Sequence, residues 1–88
     1  KNTINIMRLI FSNHALEQIK ERNLSRDKVK EIVRKPDKII QQSYVRFRAI
    51  RLLRRRKKSY LMIVVYDEKN STKEIITAFI TSKIRKYL

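Results

Sequence analysis

Glycine is absent from all 88 residues of this sequence. Two-residue hairpin turns need backbone at positive φ, which glycine adopts most readily. A glycine-free chain that still reads as rich in hairpins is therefore expected to turn through longer loops, above all at Arg54 to Ser59. The same absence removes the glycine-rich cradle that holds nucleotide phosphates, and with it ATPases and kinases of the P-loop kind. Cysteine is absent too, so disulfides and thiolate metal sites are closed to the chain. With a single histidine, no cofactor is expected. At this length the chain reads as one domain, residues 1–88, whose small core must hold without staples.

Periodicity supplies the fold class. The run Ile4 to Phe11 reads as a first strand and stops at Ser12, which is placed to cap a helix from Asn13 to about Arg22, with Phe11 and Leu16 as a hydrophobic staple. The device repeats at Leu24, Ser25 and Val29. Ser25 then caps a second helix that has Asp27 in its first turn and ends before Pro36. Beyond Pro36 the period falls to two. Lys38 to Ser43 is a short strand, Val45, Phe47 and Ala49 alternate with Arg46 and Arg48, Tyr60 to Tyr66 is apolar on both faces, and Glu74 to Ser82 follows a polar turn at Asp67 to Ser71. The order β-α-α-β-β-β-β predicts an α+β layer, two N-terminal helices packed on one face of a four- to five-stranded antiparallel sheet.

Charge narrows the partner. The 23 Lys and Arg against 8 Asp and Glu give a net charge of +15, which points to a polyanion: RNA, DNA, an acidic membrane face or an acidic protein. Both helices carry mixed charges and no apolar run is long enough to span a bilayer, so no membrane partner is expected and the chain reads as a cytoplasmic protein. Between Asp37 and Asp67 there is no acid, and Arg46, Arg48, Arg51, Arg54, Arg55, Arg56, Lys57 and Lys58 crowd one stretch. Lys and Arg discourage edge pairing of strands, yet five consecutive cations exceed that need. Such a tract fits phosphate binding with a steep salt dependence, and Tyr44 beside Arg46 can stack an unpaired base, whereas Phe47 reads as core.

His14, the one imidazole, falls in the first turn of helix one. It is either an ordinary exposed residue or a general base, since a helix N-terminus favours the neutral, proton-accepting ring. Glu17, one turn on, reads as solvent-facing. Metal-free RNA cleavage needs a base for the 2′-hydroxyl, cations for the phosphorane and an acid for the leaving oxygen. His14, Arg46 or Arg48, Lys83 and Tyr87 can supply those parts, with Thr81 and Ser82 beside Lys83 as a phosphate clamp. The second reading is a basic RNA- or DNA-binding protein without catalysis, using the same strand for counterion release.

Three segments together resemble a known family. Phe11-Ser12-x-His14-Ala15-x-x-Gln18-Ile19-x-x-Arg22-x-Leu24-Ser25, then Lys35-Pro36-Asp37, then Thr77-Ala78-Phe79-x-Thr81-Ser82-Lys83-x-x-Lys86-Tyr87 are similar to the small RelE-like proteins. These are grouped as a domain of unknown function within the barnase, colicin and RelE ribonuclease fold. The resemblance implies a toxin of a type II toxin-antitoxin pair, a metal-independent endoribonuclease held inactive by an acidic antitoxin and acting on free RNA or on the ribosome. It also implies that His14 is catalytic and that Arg46 or Arg48 and Thr81-Ser82-Lys83 line the site. Tyr87 is either functional or packed against helix one. Two departures stand out: Asn23 where glycine commonly precedes the second helix, and the long run Arg54 to Lys58.

Overall fold

The computed structural model describes residues 8–88. Among them the chain runs β1 (Arg8–Phe11), α1 (Asn13–Glu21), α2 (Arg26–Arg34), β2 (Lys38–Gln41), β3 (Arg46–Arg55), β4 (Lys58–Lys69), β5 (Thr72–Thr81) and α3 (Ile84–Tyr87). The α+β class and the element order agree with the sequence, and the expected strand residues Ile4 to Met7 lie outside the described range. Both helix starts are made as the serines suggest. Ser12 Oγ accepts from the Ala15 N–H at 3.0 Å, and Ser25 Oγ accepts from the Lys28 N–H at 3.2 Å. Asn23, at φ 57°, ends α1, with its N–H donating to the Lys20 carbonyl and the Leu24 N–H donating to the Ile19 carbonyl. That is a Schellman stop, and asparagine supplies the left-handed residue in place of glycine.

The five strands form one sheet in the order β1-β5-β4-β3-β2. It is mixed, not purely antiparallel, because β1 pairs in parallel with β5. The helical crossover delivers the chain to the far edge as β2, antiparallel to β1. Three hairpin reversals then bring β5 back beside β1 running the same way. A crossover of this kind leaves no local trace in the sequence.

The hairpins also differ from the expected long loops. Arg55 pairs with Lys58, so β3 and β4 join through Arg56 and Lys57 alone, with Arg56 at φ 57°. Lys69 pairs with Thr72, and Asn70 and Ser71, at φ 49° and 61°, turn the chain between β4 and β5. The second turn has the two positive φ values of a type I′ turn, and asparagine tolerates that geometry. The first places an arginine at positive φ, where an L-residue carries a cost of about 1–2 kcal/mol. The long, continuous β3–β4 ladder holds it there.

Both faces of the sheet are partly buried. Ala15 and Ile19 of α1 and Val29, Ile32 and Val33 of α2 pack on Ala49, Met62, Val64, Tyr66, Ile75 and Ala78, and Phe47 stacks on Tyr66 at 5.6 Å between centroids. Each fully buried Val or Ile here contributes about 1.5–3 kcal/mol of hydrophobic stabilisation. On the opposite face Ile50, Leu61, Ile63 and Val65 form a smaller cluster under Ile84 and Tyr87 of α3. No helix among the described residues is long and apolar enough to cross a membrane.

Candidate active site

The open face of the sheet, the one covered only by α3, gathers several of the residues singled out by sequence. Alternation along β3 puts Arg46, Arg48, Ile50, Leu52 and Arg54 on this face. The expected alternation of Phe47 and Ala49 with Arg46 and Arg48 holds, and it does not extend along the rest of β3. Past Arg48, Ile50 joins the small cluster, because β4 is apolar on both sides and its open face needs cover.

Arg48 is the best-supported cation. Its guanidinium lies 5.6 Å from the centroid of the Tyr87 ring. The Gln42 side-chain oxygen, turned toward it, accepts from Nη2 at 2.8 Å and from Nε at 2.9 Å. Tyr87 in turn meets Phe79 edge-on at 6.0 Å and has Lys86 Nζ 5.5 Å from its centroid. Tyr87 therefore packs on the open sheet face and not against α1. Two cations over one half-buried tyrosine ring make a compact positive site, and each cation–π contact is worth about 0.5–1 kcal/mol where water reaches it.

Arg46 is differently employed. Its Nε and Nη2 donate to the two carboxylate oxygens of Asp67 at 2.7 and 3.0 Å, directly across the β3–β4 ladder. This fork holds the Asp67 carboxyl below the ordinary carboxylate range and raises the Arg46 guanidinium further above neutrality. Much of its charge is thus answered within the protein. Arg51 faces the helices, 3.4 Å from Glu31 of α2, whose carboxyl is held low first by its bond to Lys28 and then by the nearby cations. The tract that is single-signed in sequence is therefore interrupted in space, since Asp67 and Glu31 reach it from β4 and α2.

His14 is exposed near the start of α1, and its side chain makes no hydrogen bond among the described residues. Its position follows from its stripe. His14, Gln18 and Arg22 are spaced by four, so they share one side of α1. Arg22 Nη1 donates to the Ala78 carbonyl at 2.7 Å, and Gln18 is hydrogen-bonded to Thr77. That stripe seals the edge of β5 beyond Ile75, where pairing with β1 ends. A bulge in β5 lies beside it, with Ile76 as the extra residue turned toward the open face. His14 thus stands one helical turn along the same margin, unlinked by any hydrogen bond to Arg48, Lys83 or Tyr87.

Thr81, Ser82 and Lys83 close β5. Thr81 Oγ1 accepts from the Lys83 backbone N–H at 3.1 Å, which shapes the turn into α3 and leaves the Ser82 and Lys83 side chains exposed. Arg54, Arg55, Arg56, Lys57 and Lys58 form the exposed tip of the β3–β4 hairpin, away from this cluster. Tyr44 is 95% exposed in the β2–β3 turn. Sequence reasoning missed Gln42, and it quoted Gln18, Arg22 and Lys86 within the family motifs without giving them a role. The i, i+4, i+8 spacing after His14 was the signal available for Gln18 and Arg22.

The chain matches the family described as Domain of unknown function (DUF4258) over residues 11–80 and belongs to it. No curated protein and no solved structure matches the chain.

Proposed function

We propose that this member of the DUF4258 family is a metal-independent endoribonuclease, the toxin of a type II toxin-antitoxin pair. The observation that carries the reading is Arg48, held by Gln42 over Tyr87 on an open, cationic sheet face whose margin bears the only imidazole. In this reading the His14 ring removes the proton from a ribose 2′-hydroxyl. The freed oxygen attacks the adjacent phosphorus, and Arg48 with Lys86 or Lys83 neutralises the phosphorane. The Tyr87 hydroxyl protonates the leaving 5′-oxygen, giving a 2′,3′-cyclic phosphate and a 5′-hydroxyl. An acidic antitoxin suits the same face, since charge complementarity steers association and covers the cations together.

Binding of RNA or DNA without cleavage is the second reading. It is favoured by one observation, the lack of any hydrogen bond tying His14 to the Arg48 and Tyr87 cluster. Induced expression in a bacterial host separates the two. The ribonuclease reading expects growth arrest by the wild type, relief by His14→Ala, and an unchanged thermal midpoint, because the side chain is exposed. Arrest that persists in the folded His14→Ala protein would remove His14 from the chemistry.

A further inference from the structure

The β3–β4 hairpin outruns the sheet that carries it. Pairing of β3 with β2 ends at Ile50, and pairing of β4 with β5 starts at Leu61. From Arg54 to Ser59 the chain is thus a free two-stranded ribbon. It carries five consecutive cations, all exposed, and none makes a side-chain hydrogen bond or ion pair among the described residues. Their directions differ. Arg54, in step with Arg48 and Ile50, lies on the open face. Arg55 and its cross-strand partner Lys58 lie on the other face, and Arg56 and Lys57 form the tip.

A flat anionic surface, whether a lipid headgroup layer or an acidic protein face, meets one side of such a ribbon and leaves the cations of the other side in water. A groove with phosphates on both walls meets both. The major groove of A-form RNA is deep and narrow and closed to base reading by side chains, but its rims are two rows of phosphates. We infer that the β3–β4 ribbon is a wedge for double-helical RNA, seated edge-on at the mouth of a stem's narrow major groove without entering it, with Arg54 against one phosphate row and Arg55 and Lys58 against the other. Six residues separate Arg54 from Arg48 on the same face, a span of about 20 Å at strand rise. Unpaired nucleotides leaving the stem therefore pass the half-exposed Leu52 and reach Arg48 and Tyr87. The substrate class is an RNA stem with a single-stranded flank. The choice of RNA over DNA, and what happens at Arg48 and Tyr87, rest on the ribonuclease reading; the grip of the ribbon on two phosphate rows does not.

The test is fluorescence anisotropy over about 50–200 mM salt with three probes: a stem-loop RNA carrying a single-stranded tail, the tail alone, and polyglutamate of matched length. The wild type should bind the tailed stem at least tenfold more tightly than the tail. Arg54→Gln should lower the slope of log affinity against log salt by about one, and the Arg55→Gln, Lys58→Gln pair by about two, one phosphate each. Equal affinity for tail and tailed stem, an effect confined to one face of the ribbon, or equally tight polyglutamate binding would each overturn the wedge. Cleavage is scored on the same RNAs. Binding as expected with no cut leaves the wedge standing and the ribonuclease reading fallen. Tail and tailed stem cut at equal rates, with the ribbon variants unaffected, leaves the ribonuclease reading standing and the wedge fallen.

Discussion

Arg46 and Arg48 sit two residues apart on one strand face, yet their surroundings assign them different work. Arg46 is locked to Asp67 by a two-bond fork, whereas Arg48 is oriented by a neutral amide and an aromatic ring and keeps its charge available to a ligand. We expect Arg48→Ala to slow RNA cleavage about 10²–10³-fold, the usual loss for a preorganised charge-stabilising donor, and Arg46→Ala to slow it far less. Single-turnover rates at saturating protein would read this directly, and equal losses would place both arginines at the phosphate. Asp67 gives a stability test. Its folded pKa is depressed, so its contribution is complete above the unfolded value near 3.9 and is lost as pH falls through the lower folded value. The thermal midpoint of the wild type should therefore fall below about pH 4, and Asp67→Asn should lack that part of the fall while starting lower at neutral pH. Parallel curves for the two proteins would show that the fork adds nothing to stability.

At the scale of elements, what could be read in advance was what depends on neighbours in the chain. Ser12, Ser25, Asp27 and Pro36 act within a turn of their own positions, so both helices were legible, as was β4 from its unbroken apolar run. Arg48, His14 and Tyr87 were legible as candidates by residue type and position. The parallel join of β1 to β5 was not, since it pairs the first strand with the last across almost the whole chain. Nor was α3, whose four residues are too few to show a period and whose helicity rests on Ile84 and Tyr87 packing against the sheet. The tight Arg56–Lys57 turn was hidden for a different reason. Its backbone calls for glycine, and the ladder on either side overrides the local preference. Arg56→Gly and Arg56→Ala both remove the charge, so their difference isolates the backbone. We expect the glycine variant to be the more stable by about 1 kcal/mol in urea unfolding. Equal stability would mean that the turn carries no strain.

The whole molecule is a sheet used on both sides: one face under two helices for stability, the other under a single helical turn and left largely open. That asymmetry fits the charge. A chain at +15 keeps few acids, and two of them, Glu31 and Asp67, are spent on cations beside the core. Beyond the cations carried by α1 and α2, positive charge gathers at the hairpin tip, along the open face and at the C-terminal turn, where a polyanion reaches it.

The ribonuclease reading holds that RNA is cut without a metal and that His14 takes part. The most direct measurement is incubation of the purified protein with total RNA in EDTA, wild type beside His14→Ala, with the ends of the products identified. A parallel magnesium-containing tube holds translating ribosomes. We expect 2′,3′-cyclic phosphate ends from the wild type in at least one tube and none from His14→Ala in either. Intact RNA in both tubes, or the same cut made by the His14→Ala protein, would contradict the ribonuclease reading.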